Sequence, residues 1–429
     1  MKEVDVAIVG AGIGGLCLAL SLHQAGIGCR IYEAVPVLKP LGVGINLLPH
    51  AVRELDELGL LRPLDAVAVR TSESIFFTRH GQLIYREPAG LEAGYDWPQF
   101  SIHRGDLQSL LLAETLARLG PDGVVCGHAC TGASQDDRGV RAHFTAPDGT
   151  ALPDVQAAAV VACDGIHSML RKQLYPREGP PRYSGVNMWR GVTRWQPVLS
   201  GSSMIRAGWL SVGKMVIYPI RDSIDDEGRQ LVNWVAEIES PRPAQRDWSR
   251  AGRLEDFLPA FADWRFDWLD VPALIRAADS VLEYPMVDQD PLPRWTHGRL
   301  TLLGDAAHPM VPRGSNGAGQ AILDARYLAG AFQRHGVGPA ALEDYDRERV
   351  KATTQVVLTN RTNPPDAILR LVHERSGGQP FSKIGEVVGI DELQAISNNY
   401  KRVAGYDPAL LKARPSYVHG RDRPSGDNR

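Results

Sequence analysis

Over the first 180 residues the apolar positions switch repeatedly between a two-residue and a helical period, which predicts alternating strands and helices and so a doubly wound sheet. Val4-Asp5-Val6-Ala7-Ile8-Val9 has the alternation and branched side chains of a strand. Leu16, Leu18, Leu20, Leu22 and Ala25 supply i, i+4 pairs for a helix that Gly26 and Gly28 end, and a second strand runs over 29–32. Between 181 and 290 the pattern changes. Trp189, Trp195, Trp209, Tyr218, Trp234, Trp248, Trp264, Trp268 and Tyr284 crowd this stretch, and alternating runs at 215–220 and 231–238 predict antiparallel strands. Helix and strand character returns at Arg299, and 339–396 reads as mostly helical. The expected fold class is α/β: a Rossmann-type domain at 1–180 and 291–355, interrupted by a mixed or antiparallel β-sheet domain at 181–290 and followed by a helical region at 356–412. Residues 413–429, rich in Arg, Pro, Ser, Gly and Asp, are expected to form a loose polar tail.

With 429 residues and 44% hydrophobic content, the chain can bury more than one core. A net charge of -3 and a pI near 6.5 leave no electrostatic footprint for nucleic acid or an anionic membrane, so small molecules are the expected partners. Five cysteines (Cys17, Cys29, Cys126, Cys130 and Cys163) are an odd number without the dense pairing of a secreted scaffold, which fits a reducing cytoplasm. No basic leader precedes the first strand and no run of 18 uncharged apolar residues occurs, so neither a signal peptide nor a membrane span is expected. There is no internal repeat. Nothing here chooses between a monomer and a homodimer.

The first strand leads directly into Gly10-Ala11-Gly12-Ile13-Gly14-Gly15, a G-x-G-x-x-G between a strand and a helix. In that setting Gly10 permits a tight turn, Gly12 lets backbone approach a pyrophosphate, and Gly15 lets helix and strand pack closely. The second strand ends at Glu33, whose carboxylate falls where this fold accepts ribose hydroxyls and disfavours a 2'-phosphate. The bound nucleotide is therefore expected to be FAD or NAD.

Two further motifs narrow the choice. Cys163-Asp164-Gly165-Ile166-His167-Ser168-Met169-Leu170-Arg171 follows an apolar run at 157–162, and Gly304-Asp305-Ala306-Ala307-His308-Pro309-Met310-Val311-Pro312 follows a strand at 300–303. With these the chain resembles the single-component flavoprotein hydroxylases typified by para-hydroxybenzoate hydroxylase, across residues 4 to about 355. The resemblance implies that Asp164 lies near the FAD pyrophosphate and the nicotinamide path, and that Asp305 accepts a hydrogen bond from the ribityl chain. It also implies that Gly317 and Ala318, in Gly314-Ser315-Asn316-Gly317-Ala318-Gly319, face the pyrimidine edge of the flavin. Gly42 and Gly44 match a glycine loop beside the flavin, Arg104 suits the diphosphate, and Ile13, Gly14 and Ala34 complete the cofactor-binding candidates. In that family FAD is bound without a covalent link and NADH or NADPH reduces it in passing. Dioxygen then adds at the flavin C4a, and the C4a-hydroperoxide passes its terminal oxygen to an electron-rich ring.

Met188-Trp189-Arg190-Gly191-Val192, Tyr284-Pro285-Met286-Val287-Asp288 and Arg253-Leu254-Glu255-Asp256-Phe257-Leu258-Pro259 are similar to the phenazine hydroxylase branch, although the chain beyond about 360 departs from it. The expected substrate is a small aromatic or heteroaromatic ring, with or without a carboxylate. Pro312, through its backbone carbonyl, and Arg190 are the candidates at the reaction centre; Trp189, Tyr218, Trp234 and Tyr284 are candidates for an aromatic lining. Arg190 inside an apolar strand needs a partner, either a buried carboxylate or an anionic substrate. Arg313 either anchors a substrate carboxylate or points to water. His308 is left out of the catalytic set. There is no H-E-x-x-H or G-x-S-x-G, the C-x3-C pair Cys126/Cys130 lacks the further ligands of a zinc site, and no W-x-W-x-I-P of the flavin halogenases occurs, so no metal is expected. Two other readings stay open at this point: an FAD-dependent oxidase or reductase on the same scaffold, and a non-catalytic dinucleotide sensor.

Overall fold

The computed structural model describes residues 2–40, 42–241 and 251–419; Leu41, Trp248 and residues 420–429 lie outside the described residues. Parallel strands form the first sheet in the order Val124–Val125, Cys29–Tyr32, Lys2–Val9, Val155–Ala162 and Leu300–Leu302. A hairpin of Ala129–Asp136 and Gly139–Thr145 adds antiparallel strands against the start of Val155–Ala162. Val6, Ala7, Ile8 and Ala159 to Ala162 are fully buried, as expected of strands covered on both faces. The helix Ile13–Ala25 is buried almost all round rather than along one stripe, because it is wedged between this sheet and the helices Arg104–Leu119 and Gly317–His335.

The second sheet runs in the order Val281–Asp288, Arg182–Trp195, Gln230–Glu239, Gly213–Arg221, Ser203–Trp209, Glu73–Phe77 and Leu83–Pro88. It is wider than the stretch 181–290 implies, since its last two strands come from the first segment. Glu73–Phe77 pairs in parallel with Ser203–Trp209, and a short alternating strand carries no mark of which sheet it will join.

Strand alternation gives this sheet two unlike faces. Trp189, Ile217, Val232, Trp234 and Ala236 pack outward with Phe257, Phe261, Trp264 and Leu274 into a second core. Met188, Val216, Tyr218, Val235 and Tyr284 belong to the opposite face, turned toward the first domain. A small sheet of Gly44–Leu47, Gln99–His103 and Val69–Thr71 connects the two.

The C-terminal region consists of helices Pro339–Thr362, Ala367–Ser376, Ile390–Ala404 and Pro408–Ala413. It is tied to the second sheet by a buried charge cluster: Lys214 Nζ bonds Glu237 at 3.0 Å and also Asp366, and Arg206 Nε lies 3.2 Å from Asp366. Residues 414–419 are docked, which corrects the expectation of a loose tail from 413. Arg414 bonds Glu54, Ser416 Oγ donates to Glu57 at 2.5 Å, and Val418 is buried. The polar composition that suggests solvation here serves buried carboxylates instead.

Trp234 is fully buried in the outward core and its Nε1 donates to Thr193 at 3.0 Å. Trp234→Ala is therefore expected to lower stability by about 3–5 kcal/mol, read from the urea midpoint. A loss under about 1 kcal/mol would contradict the assignment of that face as core.

Candidate active site

Three chain segments leave the same edge of the parallel sheet. Val9 is level with Ala162, and Ala162 with Leu302, so the glycine motif, the Asp164 turn and the Asp305 turn emerge side by side. The Cys163 N–H donates to Val9 O at 2.7 Å and the Leu303 N–H to Ala162 O at 2.9 Å, which carries the alignment past the strand ends. In open α/β sheets ligands bind in the crevice outside these carboxyl ends.

Gly10 takes φ 103°, and a Cβ there would sit 2.5 Å from Cys163 O, so a side chain has neither the conformation nor the space. A Cβ on Gly12 would meet nothing within 4 Å. Gly12 caps the helix Ile13–Ala25 with no side-chain hydrogen bond, so the first amides of that helix are open to an anion from the crevice. Ile13 and Gly15 are buried beneath the turn, and Gly14 lies against Leu303, joining the first motif to the third. Glu33 accepts the Ala11 N–H at 2.7 Å and the Val35 N–H at 3.0 Å, which pins its carboxylate to the glycine turn. Ala34 is exposed beside it.

Asp164 accepts the Met169 N–H at 2.9 Å through one oxygen, while the other is buried without a partner; burial raises its pKa. Asp305 is open to solvent from the crevice, yet surrounding protein raises its pKa by desolvation, against the lowering pull of His308 and Arg104. Accessibility and desolvation agree only if the carboxylate stands on the floor of a deep concavity. Its Oδ1 lies 4.0 Å from where a Cβ on Gly317 would be. Gly317 opens the helix Gly317–His335, whose cap residue Asn316 makes no capping bond, so Ala318 and its neighbour lie at a second open helix start. Arg104 is exposed at the head of helix Arg104–Leu119, with its Cβ 3.4 Å from the Cβ position of Gly42.

Three side chains of the second sheet converge on Gly44, in the loop and strand beside Arg104. Gly44 donates its N–H to Asn233 Oδ1 at 2.7 Å, and its carbonyl accepts Tyr218 OH at 2.8 Å and Arg190 NH2 at 2.7 Å. Arg190 thus has a backbone carbonyl, not a buried carboxylate, as its partner within the chain, and its Nε is left buried and unpaired. Its cross-strand neighbours are Leu282 and Val235, and Val235 in turn pairs with Val216, giving an apolar row around one cation. Tyr284 pairs with Met188 on the same face; burial raises its pKa, and Arg190 and Arg104 lower it. Burial likewise raises that of Tyr218, again opposed by Arg190. Trp189 and Trp234 are not in this lining. They belong to the outward face, with Trp189 stacked on Phe257 at 5.0 Å, so the sheet backbone separates them from the crevice.

Pro312 is exposed in the short turn Pro312–Gly314 that precedes the helix Gly317–His335, and Arg313 beside it has a buried Nε without a partner. His308 binds Asp324 at 2.5 Å, and Asp324 also accepts the Gly304 N–H at 3.2 Å and Arg349 Nε at 2.8 Å; this is the anchor of the Asp305 turn. Burial alone would raise the Asp324 pKa, but His308 and Arg349 bring it below the usual range. Sequence reasoning missed Asn233, and also Gln108, whose amide donates to Ala11 O at 2.8 Å. Both make single polar contacts to backbone far away in the chain, which no local pattern signals. Among the described residues no cluster of His, Cys, Asp and Glu could hold a metal ion.

A family model described as FAD binding domain matches residues 3–360. Phenazine 1,6-dicarboxylic acid hydroxylase of Lysobacter antibioticus is 42% identical, covering 84% of this chain and 89% of that protein. A 3-amino-4-hydroxybenzoate 2-monooxygenase of Streptomyces platensis is 37% identical over 82% of this chain and 85% of that one. Among solved structures, Klebsiella pneumoniae HpxO complexed with FAD and uric acid superposes with a TM-score of 0.73 at 25% identity, covering 96% of this chain and 97% of the other.

His50, fully buried behind the crevice, bonds Asn316 Oδ1 through Nε2 at 3.1 Å, and burial followed by the Arg414 charge holds its pKa at about 3. A folded-state pKa below the unfolded value of 6.5 means that the unfolded chain takes up a proton the folded chain excludes. Stability is therefore lost as pH falls below 6.5, by about 2 kcal/mol at pH 5 from this residue. The same pH step should cost His50→Gln correspondingly less; equal losses in the two proteins by urea titration would refute the assignment.

Proposed function

The chain belongs to the FAD-binding-domain family of flavoprotein monooxygenases, enzymes of aromatic hydroxylation, and from there we propose that its substrate is a carboxylated aromatic or heteroaromatic ring. The observation that carries this reading is Arg190, whose Nε is buried without a partner among the apolar cross-strand neighbours Leu282, Val235 and Val216; Arg313, next to Pro312, likewise has a buried, unpartnered Nε. An unpaired buried cationic donor is costly, and a carboxylate relieves it with charge-assisted bonds. Both relatives described above act, by name, on ring carboxylic acids.

The residues present fit FAD. The open amides after Gly12, together with the exposed Arg104, suit a diphosphate, and Glu33 retains lone pairs for ribose hydroxyls after its two backbone bonds. Asp305 suits a hydroxyl of the ribityl chain, and the start of helix Gly317–His335 suits the electron-rich edge of a ring. When bound, FAD would supply the two-electron relay from NADH or NADPH to dioxygen and the oxygen transfer to the substrate ring. The protein's own part is position and dryness. Arg190 and Arg313 would orient the substrate carboxylate, while Val216, Val235, Leu282 and Tyr284 would exclude water from the ring. Pro312, in the turn Pro312–Gly314, is our candidate for a backbone carbonyl directed at the reacting carbon. Among the described residues no helix is long and apolar enough to cross a membrane. All five cysteines are free thiols, which supports a reducing compartment such as the cytoplasm.

Aromatic and heteroaromatic acids, screened for stimulated NAD(P)H oxidation with mass detection of a product heavier by one oxygen, test the reading. Hydrogen peroxide as the sole product from every ring acid would instead favour an oxidase. Arg313→Ala is expected to raise KM for a carboxylated substrate roughly 10- to 100-fold with little change for its uncharged amide, the scale of one lost charged hydrogen bond. Asp305→Ala is expected to weaken FAD binding by a similar factor, read by fluorescence titration of the apoprotein; unchanged affinity would remove Asp305 from the cofactor site.

A further inference from the structure

The family match ends at residue 360, but the chain beyond it returns to the back of the crevice. The segment leading from Pro312 into the helix Gly317–His335 contains Ser315 with φ 53°, a left-handed conformation in a residue other than glycine. Such a conformation costs about 1–3 kcal/mol and persists only where the surroundings over-determine it.

The surroundings here are specific. Asn360 Nδ2 donates to Val311 O at 3.3 Å, and Asn360 Oδ1 accepts Tyr400 OH at 2.7 Å. Tyr400 is fully buried on helix Ile390–Ala404, and its hydroxyl oxygen lies 1.5 Å from where a Cβ on Gly314 would be. The phenol therefore fills the space beside Gly314 and, through Asn360, fixes the carbonyl that precedes Pro312. On the other side of Ser315, Asn316 Oδ1 accepts Gln320 Nε2 at 3.1 Å and meets His50 Nε2, while Gln320 Nε2 also donates to Ala404 O at 3.1 Å. Tyr406 stacks on His50 at 5.4 Å.

We propose that Tyr400 is a positioning residue for the reaction: its hydroxyl, relayed by Asn360, holds the 311–316 turn so that the Gly317 and Ala318 amides point into the crevice. This rests on the reading above in that those amides are taken to face the flavin. Tyr400 is fully buried, so its role is through the turn rather than by contact in the crevice. Its effect is on the donors that favour the electron-rich, reduced ring, and on how closely the turn covers the reaction centre.

The test uses FAD-loaded enzyme. Tyr400→Phe keeps the ring and removes only the hydroxyl. Its expected signature is a more negative midpoint potential of the bound FAD, and a fall of about fivefold in product per NAD(P)H with matching peroxide release, the scale of one net hydrogen bond. Asn360→Leu should shift the potential in the same direction, and the double variant should be no further displaced than Asn360→Leu alone, because the two act through one chain of contacts. If Tyr400→Phe does not retain FAD, Asn360→Leu decides the matter by the same potential shift. An unchanged potential, or additive shifts in the double variant, overturns the proposal. A wild-type enzyme that oxygenates no ring acid defeats the functional reading instead, since the potential requires only bound FAD.

Discussion

Everything at the crevice depends on the register of three backbone segments far apart in the chain. Val9, Ala162 and Leu302 stand side by side, and their hydrogen bonds deliver a glycine turn and two aspartates to one edge. Slipping any of these strands by one residue would exchange the side chains packed against its two covered faces and move its turn along the edge, so close packing on both sides leaves almost no freedom to shift. Core packing and site geometry are in this sense the same constraint. The tight Gly10 to Cys163 approach and the Gly14 contact with Leu303 are its local expression.

The second sheet is bonded to the small connecting sheet through the polar atoms of one glycine, among other contacts. Asn233, Tyr218 and Arg190 satisfy both backbone groups of Gly44, which would otherwise be buried without partners as the two layers close. One of the three, Arg190, also presents an unpaired nitrogen on an apolar face, so the joint between layers and the charged element of the lining are a single side chain. Whatever occupies that face is in electrostatic contact, through Arg190, with the Gly44 carbonyl.

Much of this was legible in the residues. The strand, glycine motif, helix and terminal acid are contiguous, and a glycine-aspartate turn after a short strand reads locally because each part constrains its neighbours. What did not read were decisions made at long range. Alternation tells that Trp189 and Arg190 face opposite ways, but not which way is inward, and the outward core of Phe257 and Trp264 settles it for Trp189 and Trp234. The strands Glu73–Phe77 and Leu83–Pro88 join a sheet whose other five strands all lie beyond residue 180. Asn233, Tyr400 and Arg414 each act on a partner that only the folded chain brings near, and Arg414 shows a polar terminal stretch neutralising a buried acid.

That scattering bears on how the protein is made. The strand Leu300–Leu302 completes the cofactor edge, and Tyr400 and Arg414 brace it from the far end of the chain. A nascent polypeptide can form the first strands and the glycine turn early, but it presents only part of the crevice until synthesis is nearly over. The crevice is therefore finished only when almost the whole chain is in place, and a chain truncated before Leu300 would lack one of its three converging segments.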